Sequence, residues 1–258
     1  MKKSIATICT ALLILVLSTG IALARNGKLG NFSGNNGGGG GAGVASLPYE
    51  EPSAVEIEAL TYMVEEEKVA RDVYNVLYET WGIPVFANIA NAEQRHMDAI
   101  INLLDKYGLE NPVANLDAGQ FVNPELQILY TNLIVAGQVD EEEALLVGAT
   151  IEDVDIFDLL HELKVVDNED ITKVFENLLK GSENHLRAFC SLLAMYGYDP
   201  YEAQFLTQTE IDEILAAPQT NGKKGSRNPG VAASQDRLPQ GNRMIDADGD
   251  GVCDFLQQ

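Results

Sequence analysis

Between residues 54 and 196 the apolar positions recur at alternating steps of three and four, the spacing of helices with one buried face. The first stripe, Leu60, Met63, Glu67, Ala70, Tyr74, Leu77 and Trp81, predicts a helix over 54–81, opened by Ser53 and stopped by Gly82 and Pro84. The second, Phe86, Ile89, Glu93, His96, Ile100, Leu103 and Tyr107, predicts a helix over 85–107 that closes at Gly108. An irregular crossover follows, with a short helix over 124–136 that opens at Asn123-Pro124 and ends at Gly137. A third long helix is expected over 140–164, with Asp140 as cap and Glu141, Glu142 and Glu143 in the first turn, where the helix dipole favours anions. Its stripe is Leu145, Ala149, Glu152, Ile156, Leu159 and Leu163. The fourth covers 169–196, with Asn168 as cap, Gly197 as stop, and a stripe of Ile171, Phe175, Leu178, Ser182, His185, Phe189, Leu192 and Tyr196. A last short helix is expected over 209–216. The fold class is all-α: four long helices with a long crossover between the second and third.

Each stripe is interrupted near its middle by polar groups. Burying an unpaired charge is costly, so each interruption needs a partner. Helices one and three place a single carboxylate in the seam, Glu67 and Glu152, with Asp155 three residues beyond Glu152 and just off the stripe. Helix two places Glu93 and His96 at i and i+3, neighbours on one face. Helix four places Ser182 and His185 there, with Glu183 one position off. Taken singly, Glu67 reads as well as an ion pair with Arg71, and His185 as a hydrogen-bonded core histidine. Trp81 reads as core, Glu65 and Glu66 as a solvated face, and His161 as an edge histidine. Taken together, the four seams come close to the pattern of di-iron and di-manganese carboxylate bundles, one Glu from each of two helices and Glu-x-x-His from each of the others. Carboxylate and imidazole donors suit Fe or Mn, with Zn also compatible.

The residues that carry this pattern resemble a known family. EKVARDVY (Glu67 to Tyr74) is similar to the first-helix Glu-x-x-Ala-Arg-x-x-Tyr of rubrerythrin, AEQRHMDAI to its second-helix Glu-x-x-His, and LLKGSENHLRAF to its fourth helix. The resemblance spans about residues 54–196 and is nearest to a ferritin-like domain family of unassigned function. It implies a ferritin-like four-helix bundle with metal ligands at Glu67, Glu93, His96, Glu152 and His185, reacting with dioxygen or peroxide. One departure stands out: Ser182 takes the place of the family's fourth-helix Glu. Glu183 is the substitute at hand, although one residue turns it about 100° around the helix.

The flanks change the picture of where such a domain works. Lys2 and Lys3, the apolar run Ile5 to Leu17, and Ala22-Leu23-Ala24 read as an export signal cleaved after Ala24, or an anchor if it stays. The expected location is secreted or extracytoplasmic. Residues 25–52, with NFSGNNGGGGGAG, read as a tether, and 218–243 as a second linker. The tail DADGDGVCDF spaces Asp246, Asp248 and Asp250 at positions 1, 3 and 5 of a calcium loop, with Gly251 at 6, the Val252 carbonyl at 7 and Asp254 at 9. Gln257 stands where an EF-hand holds a bidentate Glu, so the loop resembles the calcium repeats of thrombospondin type 3 and dockerin-like modules.

With 39 acidic residues against 17 basic, the net charge of -22 disfavours nucleic acid as a partner and favours cations. Of the three cysteines, Cys9 lies in the signal, Cys190 falls in a helical pattern as a small core residue, and Cys253 sits in the tail. No paired cysteines of the rubredoxin kind are present, so a rubrerythrin-like reaction needs an external electron donor. The other function expected of such a chain is a non-catalytic structural or metal-storage module of the cell envelope. A weaker reading is a calcium-dependent adhesion partner at the cell surface.

Overall fold

The computed structural model describes residues 49–217, and every regular element among them is a helix. In chain order these are α1 (Ala54–Trp81), α2 (Pro84–Tyr107), α3 (Pro124–Gly137), α4 (Glu141–Glu162), α5 (Glu169–Tyr196) and α6 (Gln208–Ala216). The segments expected to be an export signal, most of the first tether, the second linker and a calcium loop with Asp246, Asp248, Asp250, Val252 and Asp254 lie outside the described residues. No helix among the described residues is long and apolar enough to cross a membrane.

Local chemistry sets the ends. Ser53 and Glu56 form a reciprocal capping box at the start of α1, and Asp140 accepts the Glu143 N–H at 2.9 Å at the start of α4. Gly82, Gly108 and Gly197 stop α1, α2 and α5 in the left-handed conformation, with φ of 67°, 67° and 76°. Gly137 does not stop α3. It is the last helical residue, and a Cβ there would come within 2.6 Å of Leu77. Asn168 precedes α5 but makes no side-chain cap; its amide donates to the Glu50 carbonyl and its oxygen accepts the Tyr107 hydroxyl. The end of the first tether is thereby fixed: Pro52 is buried, and the Tyr49 ring packs on Tyr107 with centroids 5.8 Å apart.

Two apolar clusters form the core. One gathers Val69, Tyr74 and Leu77 of α1, Phe86 and Ile89 of α2, Leu145 and Ile156 of α4, and Leu186 and Phe189 of α5. The other gathers Leu60 and Met63 of α1, Ile100 and Leu103 of α2, Leu159 of α4, and Ile171, Phe175 and Leu178 of α5. Helix α1 runs from the second cluster to the first, α2 and α4 run from the first to the second, and α5 returns. The crossover through α3 is what lets α4 travel in the same direction as α2. Between the clusters, at mid-height, all four long helices turn polar groups inward.

Several expectations shift. Tyr196 is exposed and Leu193 takes its place in the core, because the α5 stripe drifts round the helix toward its end. Trp81 is partly buried and donates from its indole to the Gly137 carbonyl at 2.8 Å. Glu65 and Glu66, expected on a solvated face, are buried at 3% and 4% exposure. For Glu65 the reason is plain: it accepts the Val122 and Asn123 N–H groups at 2.6 and 3.0 Å and so holds the crossover where it enters α3.

Candidate metal centre

Glu67 from α1, Glu93 and His96 from α2, Glu152 from α4 and His185 from α5 meet in the polar layer between the two apolar clusters. They form two groups whose ligand-type atoms lie within 4.8 Å of one another, Glu67/Glu93/His96 and Glu93/Glu152/His185. Glu93 belongs to both. One of its oxygens is 2.7 Å from His96 Nδ1, and the other is 2.9 Å from His185 Nδ1. Glu67 Oε2 lies 3.2 Å from His96 Nδ1, and Glu152 Oε2 lies 3.5 Å from His185 Nδ1. The imidazoles stack with centroids 5.5 Å apart.

Neighbours fix these groups. The Tyr74 hydroxyl donates to Glu152 Oε1, while its ring packs against Phe86 and Phe189. Gly181 of α5 makes room for His96, since a Cβ there would stand 2.6 Å from its Nε2. Arg71 takes no part: it bonds Asp72 and Gln94, so the alternative ion pair to Glu67 is not formed. Glu183 also stays outside, pairing with Arg187 at 3.3 Å. Ser182 instead donates to Asp155 Oδ2, which draws a carboxylate of α4 toward the place where α5 lacks one. His161 is exposed and bonds the Phe157 carbonyl, apart from the cluster.

Buried oxygens and nitrogens ordinarily find hydrogen-bond partners. Here Glu67 Oε1, Glu93 Oε1, Asp155 Oδ1 and His185 Nδ1 have none. His185 Nδ1 and Glu93 Oε1 are 2.9 Å apart but do not meet as an aligned donor and acceptor. The electrostatics agree. Burial, then Asp155 and Glu93, push the Glu67 carboxyl well above the usual range. Burial and the adjacent Glu152 carry Asp155 up to about 8. Burial also raises Glu93, but His185 and His96 outweigh it and hold that carboxyl low. Burial lowers His185, yet Glu93 and Glu152 overcome it and raise the imidazole to about 10. Several carboxylates thus share two imidazoles in a buried layer where acids outnumber bases, an arrangement that could bind a metal.

Sequence periodicity finds the five seam residues because each falls on an apolar stripe. It undervalues Asp155, whose only signal is its i+3 step from Glu152, and it misses Glu66, which sits beside Glu67 in an acidic run.

The chain is 48% identical over 179 residues to an uncharacterized protein, MJ0754, of Methanocaldococcus jannaschii, a match that covers 69% of this chain and 96% of that one. The crystal structure of hypothetical protein MJ0754 from Methanococcus jannaschii superposes with a TM-score of 0.66 at 48% identity, covering 67% of this chain and 99% of that one. The family model described as uncharacterized protein domain DUF2202 matches residues 56–218. The polar layer lies wholly inside that match, and the chain belongs to the DUF2202 family.

Proposed function

We propose that this chain is an exported, ferritin-like four-helix protein that binds two transition-metal ions and reacts with dioxygen or peroxide. The observation that carries the reading is the set of buried, unpartnered donor atoms that converge from four helices. The helix directions support the ferritin-like part: α2 and α4 run parallel, as a long crossover requires. Glu67, Glu93 and His96 would hold one ion and Glu93, Glu152 and His185 the other, with Glu93 shared. Asp155, fixed by Ser182, supplies a carboxylate in compensation for the missing fourth-helix Glu. Fe or Mn fits these hard oxygen and borderline nitrogen donors best, and Zn also fits them. Bound there, Fe or Mn supplies one-electron redox chemistry toward dioxygen or peroxide.

The chain's own part is to orient and to exclude water. Tyr74 holds Glu152 in one rotamer, Gly181 leaves the His96 ring its place, and Phe86 and Phe189 close the layer on one side. Burial and neighbouring acids raise the Glu67, Glu152 and Asp155 carboxyls above their ordinary range, so a cation bound there competes with protons. Export, and calcium binding by the DADGDGVCD tail, are proposed from the sequence pattern alone.

Elemental analysis of protein purified without chelator, followed by peroxide and ferroxidase assays, tests the reading. About two Fe or Mn per chain with turnover supports it. Retained metal without turnover makes the chain a metal store. A folded chain that holds no metal, and whose Tm does not move when Fe, Mn or Zn is added, removes the proposal.

A further inference from the structure

On the α4 side of α1 stands a carboxyl pair that the metal centre does not use. Glu66 is 4% exposed, and neither of its oxygens has a hydrogen-bond partner. Its carboxyl lies against that of Asp158 on α4, whose Oδ2 accepts the Tyr62 hydroxyl at 3.2 Å. Asp158 and Tyr62 line a cavity of about 680 Å³ between α1, α3 and α4. Glu58, Glu125 and Glu162 also line it, against one base, His161, and no lysine or arginine. On its inner side Glu66 is within electrostatic reach of Asp155 and Glu67.

Two carboxylates facing each other in a buried wall repel strongly. A shared proton or a cation resolves this. A cavity whose acids outnumber its bases favours cations, and paired carboxylates with a phenol oxygen suit a hard divalent ion. We propose that Glu66 and Asp158 form a further divalent-cation site, through which an ion passes from this cavity to the metal centre. The destination rests on the metal-binding reading above; the pair itself does not. Because Glu66 interacts with Asp158 on one side and with Asp155 and Glu67 on the other, carboxyl groups continue from the cavity wall to the centre.

The experiment follows Mn2+ uptake by the metal-free full chain, using the loss of the free-ion electron paramagnetic resonance signal, with every variant compared with wild type so that any uptake by the tail cancels. Glu66→Gln and Asp158→Asn should fold with the wild-type circular dichroism, fill the centre roughly tenfold more slowly, and lose a weakly held ion at equilibrium. Asp158 is partly exposed, so its variant stands even if Glu66→Gln does not fold. Glu125→Gln makes the same charge change on the cavity wall and should load within about twofold of wild type, which separates a site from a general field. Filling at the wild-type rate in both pair variants, with no ion lost, overturns the inference and leaves the metal centre standing. A wild-type centre that takes no ion overturns the metal-binding reading and the transit role with it.

Discussion

Asp153 and Asp155 sit two residues apart on α4, and both are buried, at 0% and 5% exposure. They face opposite sides of the helix and have opposite surroundings. Asp153 accepts the Tyr201 hydroxyl at 2.8 Å and the backbone N–H groups of Gln204, Phe205 and Leu206 at 2.7, 3.1 and 2.8 Å. It anchors the segment that leads to α6. Asp155 has one hydroxyl donor and one bare oxygen, and it lies among other carboxylates. Glu56, Glu65, Asp72 and Asp170 follow Asp153, each held by backbone or cationic donors. Glu66, Glu67 and Glu93 resemble Asp155 in keeping at least one buried oxygen without a partner, although His96 contacts Glu67 and both imidazoles contact Glu93. Burial alone therefore does not distinguish these acids; what does is whether every buried oxygen has a donor.

Removing charge should act with opposite sign on the two sides. Asp153→Asn leaves backbone donors facing an amide and should cost about 3 kcal/mol in chemical denaturation. Asp155→Asn should stabilise the metal-free chain at pH 8 by about 1 kcal/mol while weakening metal binding, the trade-off of a strained site. If both variants lose stability equally, the distinction between the two acids fails.

pH sharpens the same contrast. Glu67, Glu152 and Asp155 are acids whose folded pKa is raised, so their contribution is complete at low pH and is lost as pH climbs through the folded value, for Asp155 from 3.8 toward about 8. His185 is raised from 6.5 to about 10, and its contribution also fades as pH rises across that window. Glu93 is lowered and acts the other way, losing its contribution only on acidification below the usual carboxylate range. The metal-free chain should therefore melt about 5 °C lower at pH 9 than at pH 6 by calorimetry, and bound metal should flatten that slope. A rising Tm over this range would contradict the charge balance described for the centre.

Gly181→Ala should push the His96 ring aside, at a cost of about 1–3 kcal/mol. It should weaken the Glu67/Glu93/His96 group and spare Glu93/Glu152/His185, so that measured metal falls from about two per chain toward one. Tyr74→Phe should have the smallest effect, about 1 kcal/mol in Tm-derived stability, because it removes one buried hydrogen bond to Glu152 and keeps the ring packing.

The helices and their ends were legible in sequence because caps, stops and apolar spacing are local signals. Ser53 with Glu56, Asp140, and the three left-handed glycines all act within a turn of where they are read. The five inward donors were legible for the same reason, as breaks in a stripe. What periodicity could not supply is which acids have partners. Glu65 finds its donors 57 and 58 residues away in the crossover, and Asp153 finds one of its donors 48 residues away at Tyr201. Nothing local separates them from Glu66 and Asp155. Helix α4 shows the limit most clearly. It is buried on several faces from Ala144 to Ile156, so a single stripe describes it poorly.

The run Glu65-Glu66-Glu67 has a last consequence. Successive residues are about 100° apart around a helix, and these three reach the crossover backbone, the Asp158 carboxyl and the His96 imidazole in turn. Together they act as a phase key for α1, since no other rotation of the rod serves all three directions. Deleting one residue between Met63 and Glu65 would hand every role to the wrong neighbour while leaving the composition almost unchanged.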